Sequence, residues 1–263
     1  MSVAAVVRDT NRWHMPYQCQ PSSAASGNAS CNARNYAYYQ RAIASGDHFR
    51  RPCKLTSAHH DFRIVDALPP AVRNTTLLIV NLREPASRAV SHFHMLRRHG
   101  VPAALNASSP LDYFLGDPEG ESISRNRMTR VLAGEFCCKD GGAVSYDARE
   151  LLERAAARLE AFCVVGLTSR VQDTMLYVQA ALGLGTESTP KNLHYHNNAK
   201  KYEPVAEGVL AALRAANGLD AALYAEAERR FGMQMQAIGR PAGAGAGAAA
   251  GGGDAGAGAG RRG

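Results

Sequence analysis

Short apolar runs alternate with stretches of helical periodicity along the chain. The runs at 75–82 (TTLLIVNL) and 163–167 (CVVGL) are rich in β-branched residues and bounded by polar ones, which is typical of strands buried on both faces. Helical spacing of apolar residues, with Pro85 and an Asp147–Glu150 capping box as start signals, predicts helices at 86–98, 124–134, 147–162, 169–182, 204–216 and 219–235. Residues 102–110 are expected to form a loop. This alternation predicts a parallel sheet with helical crossovers.

The two ends of the chain lack this periodicity. Residues 1–50 are polar, with clusters of Ser, Asn and Gly, and are predicted to be mostly loop with one helix near 32–44. The last 23 residues contain 10 Gly and 9 Ala, so they have almost no side chains to bury. The sequence therefore predicts a poorly ordered segment at 1–50, a domain at 51–238 and a disordered Gly/Ala tail at 239–263.

Composition adds a basic charge balance but no metal signature. Thirty Lys and Arg residues against 23 Asp and Glu give a net charge of +7. Such a surface suits anionic partners, namely nucleic acid, acidic polysaccharide, phosphate or sulfate, although a coding bias toward Arg explains the composition equally well. The six cysteines follow no zinc spacing, so no metal is expected, and their even number permits disulfides without requiring them. The sequence has no run of 18 apolar residues, so no transmembrane helix is predicted.

The first predicted strand delivers polar residues to the edge of the sheet where ligands of such folds bind. Arg83 follows the strand directly, and Ser91 comes eight residues later, two turns along the next helix. A guanidinium and a hydroxyl placed in this way can converge on one oxyanion. The alternative is that Arg83 pairs with Glu84 or another carboxylate and that Ser91 is an ordinary helix-surface hydroxyl.

The motif LREPASRAVS (82–91) resembles the 3′-phosphate-binding motif of the Golgi-type carbohydrate sulfotransferases, such as the heparan sulfate 2-O- and 6-O-sulfotransferases. The segments NRMTRVLAG (126–134) and CVVGLTSRVQDTMLYVQAALGL (163–184) resemble further segments of that family, and the resemblance covers about residues 57–233. It implies a three-layer α/β fold of the P-loop NTPase-like type. It also implies transfer of a sulfuryl group from 3′-phosphoadenosine 5′-phosphosulfate to a carbohydrate hydroxyl, with Arg83 and Ser91 holding the 3′-phosphate.

The same resemblance implies roles for other residues. In AHHDF (58–62), His59 falls on the position of the catalytic base, with His60 as a competitor, because an imidazole near its ordinary pKa can accept the hydroxyl proton. Lys200 and Lys201 lie in a basic loop that would close over the nucleotide phosphates, unless the loop is simply solvated. Asn126 would contact the acceptor or the sulfate, or would cap the helix that it begins.

The resemblance also implies a cellular location. Its members are anchored in the Golgi membrane with the enzyme in the lumen. Sequons at Asn28, Asn74 and Asn106 fit a lumenal glycoprotein, but the first residues are too short and too soon polar for a secretory signal, so an anchor would lie in a segment absent from this chain.

The chain departs from the family at the K-x-G-[ST] loop, which cradles the 5′-phosphosulfate and which no segment before His59 matches. Two explanations follow: the fold is N-terminally incomplete, or the chain is a degenerate relative that binds sulfated or phosphorylated ligands without catalysis. A nucleic-acid-binding protein is a third class, but no motif of the known modules supports it, so the expected partner is a carbohydrate acceptor, including an anionic polysaccharide.

Overall fold

A computed structural model describes residues 2–7, 55–58, 62–66, 68, 70–117, 120–121, 124–135, 147–183 and 204–240. Its strands are β1 (Ser2–Val7), β2 (Leu55–Ala58), β3 (Thr76–Leu82) and β4 (Val164–Leu167). Its helices are α1 (Arg63–Asp66), α2 (Pro70–Arg73), α3 (Pro85–Arg98), α4 (Pro102–Asn106), α5 (Pro110–Gly116), α6 (Arg127–Ala133), α7 (Ala148–Leu159), α8 (Val171–Ala181), α9 (Glu207–Ala216) and α10 (Gly218–Ala237).

The strands form one sheet in the order β2-β1-β3-β4. Strands β3 and β4 are parallel, with Ile79 opposite Val164 and Leu82 opposite Leu167. This confirms the parallel pairing of the two predicted strands. Strand β1 is antiparallel to both of its neighbours, so the expectation of a wholly parallel sheet is wrong. Because β2 and β3 are both antiparallel to β1, they run in the same direction as each other and as β4. The three strands therefore end at the same edge of the sheet.

Strand β1 lies within the segment that the sequence analysis predicted to be mostly loop. Its sequence, SVAAVV, is short, and two of its six residues are alanines. Alanine is depleted in strands because it offers little side chain to pack on a pleated surface. The local signal was therefore weak, and pairing with β2 and β3 decides the conformation.

Helices cover both faces of the parallel pair. On one face Leu78, Val80 and Leu82 pack into the main core with residues of α6, α7 and α10. On the other face Leu77 packs with Leu182, with α8 residues alongside. This arrangement explains why the two runs are mostly apolar: β4 is buried throughout, and β3 is buried on one face and at least half-buried on the other. The described chain is thus a mixed α/β fold in which helices predominate.

Helix α10 also closes the outer side of β4. The Gln234 side chain accepts a hydrogen bond from the Val165 N–H (2.9 Å) and donates one to the Val165 carbonyl (3.0 Å). These bonds replace the strand that β4 lacks on that side in the described sheet. An open edge with unpaired backbone groups would otherwise invite pairing with another chain.

The predicted helix near 32–44 lies outside the described residues; the other predicted helices are confirmed with small shifts at their ends, and one predicted loop is wrong. Residues 102–110 contain helix α4 and the start of α5, each beginning with a proline at its first position. Proline fits there because the first N–H of a helix has no intrahelical partner. Both prolines were interpreted as loop residues, although they mark helix starts. Among all the residues that the structure describes, no helix is both long and apolar enough to cross a bilayer.

Helix caps follow the predictions at one site and not at another. Asp147 caps α7 as predicted, because its carboxylate accepts from the N–H groups of Arg149 (2.8 Å) and Glu150 (2.9 Å). The sequence also predicts that Ser169 and Gln172 cap α8, and this prediction is wrong. Residues 168–170 form a 3₁₀ turn, and α8 begins at Val171 without a side-chain cap.

Candidate anion-binding site

Arg83 lies at the edge of the sheet where the parallel strands end. It is the first residue after β3, and its side chain is half-buried. Within the described ranges, its guanidinium makes no hydrogen bond or ion pair. Arg88 is a charged neighbour, and its positive charge faces that of Arg83. A half-exposed cation that has no partner among the described residues is suited to binding an anion from solution.

Glu84 does not neutralise Arg83, because its carboxylate is committed elsewhere. It caps helix α3, accepting from the N–H groups of Ala86 (3.1 Å) and Ser87 (2.7 Å), and it accepts a bond from Arg214 of α9 (3.1 Å). Burial raises the pKa of Glu84, but these hydrogen bonds outweigh burial and leave the pKa below its ordinary value. The alternative pairing of Arg83 with Glu84 is therefore not the one that forms.

Ser91 lies on α3 two turns after Arg83. It is half-buried, and its hydroxyl has no hydrogen bond to another residue that the structure describes. Spacings of four and three residues place Glu84, Arg88 and Ser91 along one stripe of the helix. Ser91 therefore lies on the same side of α3 as Arg88 and as Glu84, the residue that directly follows Arg83.

Arg88 ties α3 to two other segments. Its side chain is 7% exposed. Its Nη2 donates to the Ser124 carbonyl (2.8 Å), and its Nε lies 3.9 Å from the Asp220 carboxylate at the start of α10. Burial lowers the pKa of Arg88 and raises that of Asp220, and the charge of each opposes the shift of the other. The second arginine of the LREPASR segment is thus part of the core and not of an open site.

Asp220 and Asn126 cap each other's helices. The buried Asp220 carboxylate accepts from Met128 N–H (3.1 Å), Thr129 N–H (2.8 Å) and Thr129 Oγ1 (2.9 Å) in the first turn of α6. In return, Asn126 Oδ1 accepts from Leu219 N–H (3.1 Å) and Asp220 N–H (3.3 Å) in the first turn of α10. Each helix thus satisfies N–H groups of the other that have no intrahelical partner. We call Arg88, Asn126, Thr129 and Asp220 the interlock.

The predicted role of Asn126 is therefore only partly the observed one. It does act as a cap, but of α10 and not of the helix that it begins. The residue is 8% exposed, and its backbone is left-handed with φ 48°. Its N–H donates to Asn217 Oδ1 (2.9 Å) at the joint between α9 and α10. This placement gives its side-chain oxygen a structural role, and contact with an acceptor stays a prediction.

The turn after β4 adds polar groups beside Arg83 that the sequence analysis did not identify. Thr168 Oγ1 donates to the Leu82 carbonyl (3.0 Å) and accepts from Asn81 Nδ2 (3.3 Å), which joins the ends of β3 and β4. The Ser169 and Tyr224 hydroxyls also share a hydrogen bond, and burial raises the pKa of Tyr224. The available signal was positional, since Thr168 and Ser169 directly follow a predicted buried strand.

His92 is a second residue that the sequence analysis missed. Its ring stacks on Phe114 with 6.0 Å between centroids, and its Nδ1 is buried without a hydrogen bond. Burial, followed by the charges of Arg127 and Arg88, lowers its pKa from 6.5 to about 3. The imidazole is neutral at ordinary pH, so it contributes no positive charge to the site.

The remaining predicted site residues, His59, His60, Lys200 and Lys201, lie outside the described residues. The chain approaches His59 through β2, whose last residue, Ala58, is opposite Val3 of β1; Val3 is in turn opposite Val80 of β3. Ala58 is thus level with the carboxyl-terminal half of β3 and two strand spacings from it, about 10 Å.

No family model, no curated protein and no solved structure matches this chain.

Proposed function

We propose that this protein is a sulfotransferase of the P-loop NTPase-like fold, moving a sulfuryl group from 3′-phosphoadenosine 5′-phosphosulfate to a carbohydrate hydroxyl. The observation that carries the proposal is the sheet edge at which β2 and β3 both end. Arg83 follows β3 there without a partner in the described chain, and the His59–His60 pair follows β2 in sequence. Ligands of open α/β sheets bind at such edges.

In this proposal the residues divide the work between holding and proton transfer. Arg83 and Ser91 hold the 3′-phosphate, which distinguishes this nucleotide from ATP, through a charge-assisted pair and a hydroxyl hydrogen bond. His59, or His60 in its place, takes the proton of the acceptor hydroxyl as its oxygen bonds to sulfur. The bond from sulfur to the phosphate oxygen breaks, and 3′,5′-ADP leaves. Lys200 and Lys201 neutralise the phosphates, and the proposed setting is the Golgi lumen.

Exposed sequons agree with that setting. Asn74 and Asn106 lie on the surface in the described chain, at the turn after α2 and at the end of α4. Both positions can therefore accept a glycan without disturbing the core.

Calorimetry with 3′,5′-ADP tests the nucleotide site. We expect micromolar binding that Arg83→Ala weakens by at least about tenfold, because one charge-assisted bidentate contact is lost. Arg98→Ala is the matched control: it removes the same charge from the exposed end of α3, so its affinity should stay within about twofold of the native value. Equal losses in the two variants would indicate non-specific polyanion binding and contradict the proposal.

A sulfate-transfer assay separates an enzyme from a binding protein. Labelled 3′-phosphoadenosine 5′-phosphosulfate and a mixed glycan acceptor should give labelled product that His59→Ala or His60→Ala abolishes while 3′,5′-ADP binding persists. Retained nucleotide binding without any product would instead support a relative that binds phosphorylated or sulfated ligands without catalysis.

A further inference from the structure

We propose that Arg88 is a positioning residue for the anion site: it holds α3 in the orientation in which Arg83 and Ser91 act on the same phosphate. The inference rests on the proposed function, since it concerns how that phosphate is held. Arg88 itself is 7% exposed and bonded within the fold, so it is not placed as a ligand.

The geometry assigns this role because Arg88 lies between the two residues of the site. It comes five residues after Arg83 and three before Ser91, on the stripe of α3 that contains the serine. Its guanidinium joins the Ser124 carbonyl and the Asp220 carboxylate, which belong to segments far away in sequence. Rotation or sliding of α3 would break both contacts.

A second contact, between Glu84 and Arg214, holds the same end of α3. Because of it, loss of the Arg88 contacts would let α3 rotate about its N-terminal end. Glu84, the cap of α3, is held by Arg214 of α9, and Asp220 stands at the start of α10. The pair α9–α10 therefore holds α3 at two points, one at its cap and one a turn further on. Without the second point, α3 can turn about the first, and this moves Ser91 relative to Arg83.

The charge of Arg88 must be separated from its positional effect, because it also faces Arg83. Replacing Arg88 alone would remove a positive charge near the bound phosphate and leave Asp220 buried and unpaired. The double variant Arg88→Met/Asp220→Asn removes one positive and one negative charge together. Its new amide keeps one oxygen, which can accept from the Thr129 N–H and hydroxyl, whereas the Met128 N–H loses its acceptor. The cap of α6 is therefore weakened but not lost.

The measurement is the ratio of the dissociation constants of 5′-AMP and 3′,5′-ADP, two nucleotides that differ only in the 3′-phosphate. A purely structural role would lower the denaturation midpoint and leave this ratio unchanged in the folded protein. A positioning role lowers the ratio. We expect a loss of about tenfold in the double variant, comparable to one hydrogen bond to a charged group, with 5′-AMP affinity nearly unchanged.

Arg88→Lys is the milder variant and decides the matter if the double variant fails to fold. Lysine keeps a charge for Asp220 but lacks the planar fork that bonds the Ser124 carbonyl while facing Asp220, so the ratio should fall between the native and double-variant values. A native ratio in folded Arg88→Lys and in the folded double variant would overturn the positioning role. Absence of 3′,5′-ADP binding by the native protein would instead refute the proposed function.

Discussion

The interlock and the anion site use the same helix in opposite ways. In the interlock, Arg88 is 7% exposed, Asp220 is fully buried, and the Asp220 carboxylate has hydrogen-bond partners in α6. In the proposed anion site, Arg83 and Ser91 are half-buried and lack partners in the described chain. Two arginines five residues apart in one motif therefore serve different purposes.

The difference follows from the cost of removing charge from water. A buried guanidinium without a carboxylate is strongly unfavourable, so Arg88 requires Asp220. A half-exposed guanidinium keeps part of its hydration, so Arg83 needs no carboxylate among the described residues and suits the proposed anion site. Burial, rather than residue type, separates the residue that holds the fold from the residue available to a ligand.

Asp220→Ala should give the largest effect on stability. It leaves Arg88 buried without its counter-charge and removes the acceptor for Met128 and Thr129. We expect the free energy of unfolding to fall by about 3–5 kcal/mol, measured by urea denaturation. Arg83→Ala is the comparison and should change it by less than about 0.5 kcal/mol. Similar losses in the two variants would erase the distinction between the two regions.

Gly166→Ala tests the close packing beneath the sheet edge. A Cβ at Gly166 would overlap the Thr174 methyl carbon of α8 and would lie 3.0 Å from Thr174 Oγ1 and 3.1 Å from Asn81 Oδ1. Because the β-branched Thr174 is stiff and its hydroxyl is bonded to backbone, we expect a loss of about 3 kcal/mol in thermal or urea unfolding.

Gly208→Ala is the matched control for that substitution. Gly208 lies in α9, and a Cβ there has nothing within 4 Å. Alanine should stabilise the helix by about 0.5–1 kcal/mol, since it restricts the unfolded chain. If Gly166→Ala were as well tolerated as Gly208→Ala, α8 would not pack on β4 as described.

His92→Phe tests how far the buried environment extends along α3 beyond Ser91. With a folded pKa of about 3 and an ordinary value of 6.5, the unfolded chain takes up the proton first as pH falls. Stability is therefore full above about pH 6.5 and declines toward pH 3, by about 2 kcal/mol between roughly pH 7.5 and pH 5. Phenylalanine keeps a ring for Phe114 but cannot titrate.

The measurement is the difference between native and His92→Phe unfolding free energies at the two pH values. Subtraction removes the titration of other groups, including His94, whose pKa is also lowered by burial and by Arg97 and Arg98. A difference that does not change with pH would mean that His92 is solvated in the folded protein.

The elements that the sequence predicted well are those whose signal is local. The run at 75–82 and the helix after Pro85 gave β3 and α3 almost residue by residue, because apolar periodicity and an N-terminal proline act within a few residues. Strand β1 was not predicted, since its six residues become a strand only by pairing with partners more than 40 residues away.

The site could be predicted in part for the same reason. Strand-end placement identified Arg83, but no pattern showed that Arg88 would be buried against Asp220, 132 residues later. The mutual capping of α6 and α10 by Asp220 and Asn126 likewise depends on tertiary contact. A sequence motif therefore gives the chemical type of a residue, whereas the fold decides whether its side chain is accessible to a ligand.

Glu84→Gln should give the smallest effect and sharpens the comparison at the boundary between the two regions. It removes the negative charge next to Arg83 and keeps one side-chain oxygen. Because the Ala86 and Ser87 N–H groups bond to different carboxylate oxygens, only one of them keeps its acceptor. We expect stability to fall by about 0.5–1 kcal/mol, because the charged cap and the bond to Arg214 are weakened. The 3′,5′-ADP affinity should rise about two- to threefold at low salt, since the site loses a repelling carboxylate.

Glu207→Gln is the control for this last effect because it removes the same charge and also releases a carboxylate partner of Arg214. Glu207 is exposed in the first turn of α9 and does not cap α3. Its variant should leave nucleotide affinity unchanged within about 1.5-fold. An equal gain in both variants would assign the effect to net charge or to the freed Arg214. A gain in Glu84→Gln alone, which disappears at high salt, would place the bound phosphate next to Arg83 and the N-terminus of α3.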